Sequence, residues 1–401
     1  MINTNVIICG SGIVGLTIAR ELSFNGVDDI LIIEKEDFLG KHASGRNSGV
    51  LHAGIYYQPL TKRADSCLSG NLMMQAYCLE KGLPLKKTGK VIVACDETEH
   101  NTLKELYKRA VKNGADVVIV DEKELSDIEP NAKTCEMAIY SRNTAVVEPQ
   151  KILLSLFKDI ISNKKTKIMF GTKFIGLSKD KKFVLTTKGN IGFNFFINAA
   201  GAYSDIVAHS FGIGHNYKLI PFKGIYRKLK KEKSNIVKGN VYPIPNIRNP
   251  FLGVHFTRNT HGDVYIGPTA IPGFGRENYG IFKGIDKECF EILLRDANLF
   301  LANSKFRNVA LTEILKYNFS YFYKDAKKLL KQISPLDIEG STKVGIRPQL
   351  VNIHNNELVM DFLVEKGDRS IHILNSISPA FTSSMYFSKI VVSEFIKSFK
   401  L

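Results

Sequence analysis

Val6-Ile-Ile-Cys9 runs into Gly10-Ser-Gly12-Ile-Val-Gly15, and Ile30-Leu-Ile-Ile33 ends in Glu34. An apolar run of β type precedes the glycines. Ile13, Leu16, Ile18, Ala19 and Leu22 follow at helical spacing. Strand, glycine turn, helix, strand and terminal acid form the fingerprint of a dinucleotide-binding βαβ unit. Gly10 permits the tight turn, Gly12 lets backbone approach a pyrophosphate, and Gly15 lets helix and strand pack closely. The helix N-terminus offers N–H groups and the positive end of its dipole to phosphates. Glu34 can accept hydrogen bonds from a ribose diol. The candidate nucleotide contacts are therefore Gly10, Gly12, Ile13, Val14, Gly15, Glu34 and Lys35. The fingerprint alone does not separate FAD from NAD. Gly212-Ile-Gly214 and Gly273-Phe-Gly275 lack a third glycine, so a second complete copy is not found. If the first site holds FAD, electrons are expected to come straight from an organic substrate.

Working outward, the next tract is Ser44-Gly-Arg46-Asn47-Ser48-Gly49-Val-Leu-His52-Ala-Gly-Ile-Tyr56-Tyr57. It joins a flexible backbone to an imidazole, a guanidinium and two phenols. A second small-residue turn follows an apolar run at Asn198-Ala199-Ala200-Gly201, where a ligand can again approach the backbone.

The chain has 401 residues and 44% hydrophobic content, enough for more than one compact unit. No apolar run reaches the roughly 18 residues of a membrane span. The fingerprint strand starts within the first ten residues, which leaves no room for a signal peptide ahead of it. The six cysteines are scattered and none forms a C-x-x-C pair. A reduced, cytoplasmic chain with no disulfide framework and no metal site is the expectation. The net charge of +16 fits lysine-rich compositional bias, an anionic substrate or an anionic membrane surface. No nucleic-acid motif accompanies it, and no nucleic-acid partner is expected.

Patterning predicts helices over 59–82, 97–113, 149–162 and about 380–399, and a helical region over 286–332. Strands are expected at 89–94, 117–120, 166–170, 183–187, 193–199, 219–229, within 240–269, at 358–364 and at 370–374. The lysine-rich segment 227–238 reads as an exposed hairpin or loop. The fold class is α/β with an α+β second domain: a Rossmann-like domain with an inserted antiparallel-sheet domain. The expected boundaries are 1–90, 144–216 and 340–401 for the nucleotide-binding domain, and 91–143 and 217–339 for the substrate domain.

The chain resembles FAD-dependent oxidoreductases of the D-amino-acid-oxidase-like superfamily, and within it those acting on L-2-hydroxyglutarate. The likeness covers most of the chain. It rests on Gly10–Gly15, Ser44–Tyr57, Thr88-Gly-Lys-Val-Ile-Val-Ala94, Asn198–Gly201 and Ile220-Pro-Phe-Lys-Gly224. It is most specific at Val241-Tyr-Pro-Ile-Pro245 and Pro250-Phe-Leu-Gly-Val-His-Phe-Thr-Arg258. Gly267-Pro268, Gly345-Ile-Arg347-Pro-Gln349 and Asn375-Ser-Ile-Ser-Pro-Ala380 complete it. Glu148 and Lys223 depart from the family's usual Asp and Arg, and a lysine lacks the planar fork of an arginine.

The resemblance implies FAD as cofactor and oxidation of a 2-hydroxy diacid to 2-oxoglutarate. Related enzymes of the superfamily act on glycerol 3-phosphate or N-methyl amino acids, which are the alternative substrates. Such a reaction needs a base for the hydroxyl proton, cations for two carboxylates, and flavin N5 as hydride acceptor. His52 is the first candidate base; it can instead link to flavin, as a similar histidine does in some relatives, or be structural. His255 is the rival. On a strand it shares a face with Gly253 and Thr257, while Val254, Phe256 and Arg258 share the other. The remaining histidines read as surface residues. Arg347 is the leading carboxylate ligand. Lys223, Tyr226 and Arg258 are candidates for the distal carboxylate, and Tyr57 and Thr257 for further substrate contacts. Ser44, Arg46, Asn47, Ser48, Gly49, Ala199, Gly201, Ser378, Pro379 and Ala380 are the remaining expected FAD contacts. Oxygen, a quinone or another carrier reoxidises the flavin. The aromatic and lysine-rich region 286–332 can lie on the inner face of the cell membrane or cover the second domain.

Overall fold

The computed structural model describes residues 2–245 and 252–400. The chain divides into two compact units: 1–47, 149–220 and 347–401 form the first, and 48–148 and 221–346 the second. The junctions expected at 90/91, 143/144, 216/217 and 339/340 lie at 47/48, 148/149, 220/221 and 346/347. The first differs most. Val50–Leu51 pairs with Ala145–Val147, which also pairs with Leu85–Lys86, so residues 48–90 belong to the second unit.

The first unit is built on a sheet whose centre is parallel. Ile2–Cys9 lies between Ile30–Ile33 and Gly189–Asn198, parallel to both. Thr166–Met169 extends the sheet on one side, and Ser370–Asn375 pairs parallel with Gly189–Asn198. Antiparallel strands Phe174–Leu177, Phe183–Thr186 and Leu363–Lys366 finish it. Parallel strands need crossovers and are covered on their faces, which explains the unbroken apolar runs Val6–Cys9 and Ile30–Ile33. The helices Ile13–Phe24, Pro149–Ser162 and Ala380–Phe399 belong to this unit. Thr17 and Ser388 of the first and last share a buried hydroxyl contact at 2.7 Å.

The second unit is a mixed sheet. Its order is Val117–Asp121, Met137–Ser141, Lys90–Val93, Asn240–Pro243, His255–Arg258, Val264–Gly267 and the long strand Tyr217–Leu229. Among the described residues its pairings are antiparallel except Asn240–Pro243 with Lys90–Val93, which is parallel. Alternation assigns the faces. Val91, Val93, Val241, Val254, Phe256, Val264 and Ile266 point one way into a core completed by Phe322, Ala326, Leu329 and Leu330. Val117–Asp121 is an edge strand and only partly buried despite its apolar run.

The lysine-rich stretch is not a hairpin. Arg227–Leu229 ends the long strand and Lys231–Ile236 coils into a 3-10 turn. The region 286–332 is helical over Cys289–Ala302, Ser304–Leu315 and Phe319–Lys327. Residues 246–251 of the expected strand region, including Pro250 and Phe251, lie outside the described residues.

Candidate active site

The first unit carries the glycine turn. Gly10 has φ +108°, and a Cβ there would sit 2.5 Å from the Ala199 carbonyl oxygen. A Cβ on Gly15 would sit 2.0 Å from the Gly10 carbonyl oxygen. Backbone therefore occupies the space a side chain needs at both positions, and the turn is flush against the end of Gly189–Asn198. Ala199 N–H donates to the Cys9 carbonyl at 3.0 Å, and Gly201 has φ +56°. At the helix N-terminus, Ile13 N–H donates to Ser44 Oγ at 2.9 Å. The Val14 and Gly15 amides have no acceptor among the described residues. A helix end with two amides left over behind a glycine turn fits a pyrophosphate, so the donor set matches a dinucleotide.

Glu34 lies beside this turn. Its Oε2 accepts from Ser11 N–H and Oγ at 2.9 and 2.8 Å, and its Oε1 from Glu36 N–H at 3.0 Å. Glu36 in turn meets Lys35, Lys41 and His42. Burial would raise its pKa, but the hydrogen bonds from these three groups prevail and hold it near about 2. Lys35 also lies over the Tyr203 ring at 5.2 Å. Arg46 Nε donates to the Lys41 carbonyl at 2.6 Å. Asn47 Nδ2 donates to the Ala43 and Ser44 carbonyls, so both expected cofactor contacts also brace their own loop. Ser378 and Pro379 precede the helix that opens at Ala380 with no side-chain cap.

In the second unit the sheet face opposite the core is chemically rich. Asn240↔Thr257 and Val241↔Phe256 are cross-strand partners, which brings Tyr242 opposite His255. The Tyr242 ring stacks on the His255 imidazole at 3.9 Å and 20°. Thr257 pairs with Tyr265, so Asn240, Tyr242, His255, Thr257 and Tyr265 line one face, as the parity of the sequence predicts. His255 and Thr257 are buried. His255 Nδ1 lies 2.7 Å from the Gly253 carbonyl. A carbonyl only accepts, so Nδ1 carries a proton.

His52 is buried on the glycine-rich tract of this unit. Its carbonyl accepts from Asn71 Nδ2 at 2.9 Å and from Cys67 Sγ at 3.3 Å, so the helix Lys62–Glu80 clamps the backbone that bears it. Asn113 Nδ2 holds the Gly54 and Tyr57 carbonyls from the helix His100–Lys112. The Tyr57 ring receives the Arg63 guanidinium at 4.4 Å, and burial pushes its phenol up. Ser48 Oγ accepts from Val50 N–H at 3.4 Å, and Gly49 has φ +77°.

One expectation needs correction, and two candidate ligands have partners within the protein. Arg258 Nη1 donates to the Ser234 and Val237 carbonyls at 2.7 and 2.8 Å. It pins the 3-10 turn. Lys223 is buried and its Nζ donates to the Gly280 carbonyl at 2.7 Å, so it is partly committed to a loop. His372 is not a surface residue. It is fully buried in Ser370–Asn375, with Nδ1 3.2 Å from Asn198 Nδ2 and Nε2 2.9 Å from Ser370 Oγ, and burial holds its pKa down at about 4. Arg347 is half-buried at the start of the first unit's last segment, on the strand Ile338–Asn352.

Two lysines were missed. Lys343 lies over the rings of Tyr265 and Tyr226 at 4.5 and 5.2 Å, and burial lowers its pKa to about 8. Lys90 is only 1% exposed, over the rings of Tyr56 and Tyr242. The available signal was a lysine at an inward-facing strand position beside Ile92.

Comparison with known proteins gives a consistent relation. The model of the family described as FAD dependent oxidoreductase matches residues 5–394. The mitochondrial L-2-hydroxyglutarate dehydrogenase of Bos taurus is 34% identical over 99% of this chain and 89% of its own. That of Nematostella vectensis is 35% identical over 99% and 91%. The L-2-hydroxyglutarate dehydrogenase of Indibacter alkaliphilus is 34% identical over 98% and 99%. Among solved structures, the FAD-bound L-alpha-glycerophosphate oxidase of Mycoplasma pneumoniae aligns with TM-score 0.78 at 21% identity, covering 98% of this chain and 95% of that one. Glycine oxidase of Geobacillus kaustophilus aligns at 0.71 and 18%, covering 99% and 95%. At these identities the two structures establish the fold alone.

Proposed function

The chain belongs to the family of FAD-dependent oxidoreductases, and from that membership we propose that it oxidises L-2-hydroxyglutarate to 2-oxoglutarate. The observation that carries this reading is likeness over nearly the whole chain, at about one residue in three, to animal and bacterial proteins bearing one activity name. FAD, when bound, supplies the hydride acceptor. The first unit holds it, through the Gly10–Gly15 turn, Glu34, the Ser44–Asn47 loop, Ala199–Gly201 and the Ser378–Ala380 helix start. The second unit supplies the substrate-binding groups other than Arg347.

The chain's own groups have three tasks. His255 takes the hydroxyl proton, its ring held by the Gly253 carbonyl and by the stack on Tyr242. His52 is the second choice. Arg347 pairs with the carboxylate next to the reacting carbon, where a guanidinium's parallel donors match two oxygens. Lys223 and Lys343, with Tyr226, serve the distal carboxylate, and Thr257 and Tyr57 line the substrate. Arg258 drops out of this set.

The electron acceptor is read as a carrier of the membrane, such as a quinone, reached from the inner face. Phe290, Leu294 and Leu301 lie on one side of Cys289–Ala302 and are 76%, 67% and 74% exposed. Ile281 and Phe282 are exposed just before that helix, and Lys324, Lys327, Lys328 and Lys331 after it. Exposed apolar side chains and exposed cations in one helical region suit an anionic bilayer surface. Among the described residues no helix is long and apolar enough to cross a membrane.

The test of function is anaerobic. Flavin absorbance should bleach with L-2-hydroxyglutarate and stay unchanged with the D-enantiomer, glycerol 3-phosphate or sarcosine. Bleaching by one of the latter alone replaces the substrate assignment. Binding to anionic vesicles that weakens with salt checks the membrane reading.

A further inference from the structure

Lys90 is the least expected group in the second unit. Its ammonium has no hydrogen-bond partner and joins no ion pair among the described residues. Burial lowers its pKa to about 7. An unpaired buried ammonium is costly, and a core built for stability alone would place Leu or Met there.

Its surroundings are specific. Ile92 is the parallel partner of Tyr242, and Lys90, two residues earlier, shares their face. Nζ lies 4.6 Å from the Tyr56 ring centroid and 5.0 Å from that of Tyr242. The same Tyr242 ring stacks on His255, and Tyr56 belongs to the segment that carries His52. Lys90 thus underlies the supports of both candidate bases. Further unpartnered polar atoms lie on the same face or beside it: Tyr56 Oη, Asn240 Oδ1 and Thr257 Oγ1.

The groups facing Lys90 do not neutralise it. Cys67 and Arg63 come from the helix Lys62–Glu80, Tyr56 and Tyr57 from the glycine-rich tract, Tyr242 and His255 from the neighbouring strands. Burial raises the Cys67 thiol to about 12, so it is a neutral thiol at physiological pH. Arg63 is a second cation. Ser141, the cross-strand partner of Lys90, carries no charge.

We propose that Lys90 is a positioning residue for a dicarboxylate bound by this unit: the ligand's negative charge answers a buried positive charge that the protein leaves unanswered, so ligand binding draws a proton onto Lys90. The role rests on the function proposed above. Lys90 acts through the electrostatic field and through Tyr56 and Tyr242, not by contact with the reacting atoms. Aromatic faces hold the ammonium in place without cancelling its charge, as an acid would.

The experiment uses FAD-loaded enzyme and glutarate, a diacid without the reacting hydroxyl. Calorimetry in two buffers of different ionisation enthalpy reads the protons taken up on binding. Wild type should take up protons at pH 8, where the free amine prevails, and fewer at pH 6, where Lys90 is already charged. Lys90→Met should lose the Lys90 share of that uptake and bind glutarate about tenfold or more weakly, as expected for loss of a nearby charge in a medium of intermediate dielectric. Its melting temperature should be equal or higher, since an unpaired buried charge is gone. Lys90→Gln replaces it if the Met variant does not accumulate. A variant with wild-type affinity and wild-type proton uptake overturns the role of Lys90 while leaving the function reading intact. Wild type that binds no glutarate and is not bleached by L-2-hydroxyglutarate overturns the function reading, and the role of Lys90 with it.

Discussion

Replacing Arg258 separates a structural role from a substrate role. Arg258→Met keeps the aliphatic stem and removes the guanidinium. Nη1 bridges the carbonyls of Ser234 and Val237, and Nη2 reaches Asn235 Oδ1 at 3.4 Å. Ser234 and Val237 are both buried, so water does not readily replace the lost donors. A hydrogen bond to a charged group contributes about 1.5–3 kcal/mol, and an orphaned buried carbonyl costs about 1–3 kcal/mol. These overlap, because each describes the same broken bond from one side. Arg258 is itself only half-buried, which trims the figure again. The variant should therefore lose about 2–4 kcal/mol. For a cooperative unit of 150–250 residues, each kcal/mol lowers the melting temperature by about 2–4 °C. A fall of roughly 4–15 °C is expected, read by thermal denaturation of the second unit's signal. Steady-state kinetics on the same protein at a temperature well below the transition should show KM for L-2-hydroxyglutarate changed by less than about threefold, because uniform binding to the substrate is untouched. An unchanged melting temperature with KM raised tenfold or more refutes this reasoning and returns Arg258 to the substrate site.

His255→Phe keeps the stack on Tyr242 but removes the base; flavin reduction by substrate in stopped flow should slow by about 10²–10⁴ with FAD content intact, and a larger loss in His52→Ala moves the base to His52. Gly15→Ala places a methyl 2.0 Å from the Gly10 carbonyl oxygen, so purified protein should carry little flavin per chain, and full flavin content contradicts the packing described. His372 stays neutral in the folded state, with its pKa lowered by burial from 6.5 to about 4. A depressed folded pKa gives stability that is complete above the unfolded value and lost as pH falls towards the folded one. Stability of the first unit should therefore drop by about 3 kcal/mol between pH 6.5 and pH 4 on account of this group. His372→Gln should flatten that part of the urea-midpoint profile, and an equally steep profile in the variant assigns the slope elsewhere.

The strand–glycine–helix–strand opening was legible because everything it needs is local. The turn demands glycine, the strands demand unbroken apolar runs, and both lie within 34 residues. The first domain junction was not. Val50–Leu51 pairs with Ala145–Val147, and nothing in either segment names the other as partner. Register of this kind is set by distant contacts. The same limit hid His372, whose partner Asn198 lies 174 residues away. Alternation did place Arg258 on the opposite face from His255, but the acceptors that hold it are backbone carbonyls, which no residue type announces. Lys90 and Lys343 escaped for a different reason. A lysine within a strand is ordinarily solvent-facing, and only the observed burial separates these two from that background.

The two faces of the second unit's sheet follow different rules. One carries Val91, Val93, Val241, Phe256, Val264 and Ile266, and each contributes by leaving water. The other carries Lys90, Tyr242, His255, Thr257 and Tyr265 at the alternate positions of the same strands, and it too is largely buried. Ile92, Ala94 and Tyr242 on this face also join an apolar cluster, but burial of an unpartnered polar group works against stability. It is retained where a ligand completes what the protein leaves incomplete, since real folds depart from local consistency chiefly at functional sites. Lys90 and Lys343 are held by aromatic rings and join no ion pair among the described residues, and an anion is the complement proposed for them. A substrate with two carboxylates meets that demand better than one with a single charge. The second sheet face is thus consistent with the dicarboxylate proposed from the likeness to relatives, and the apolar face explains why the unit can bear the cost.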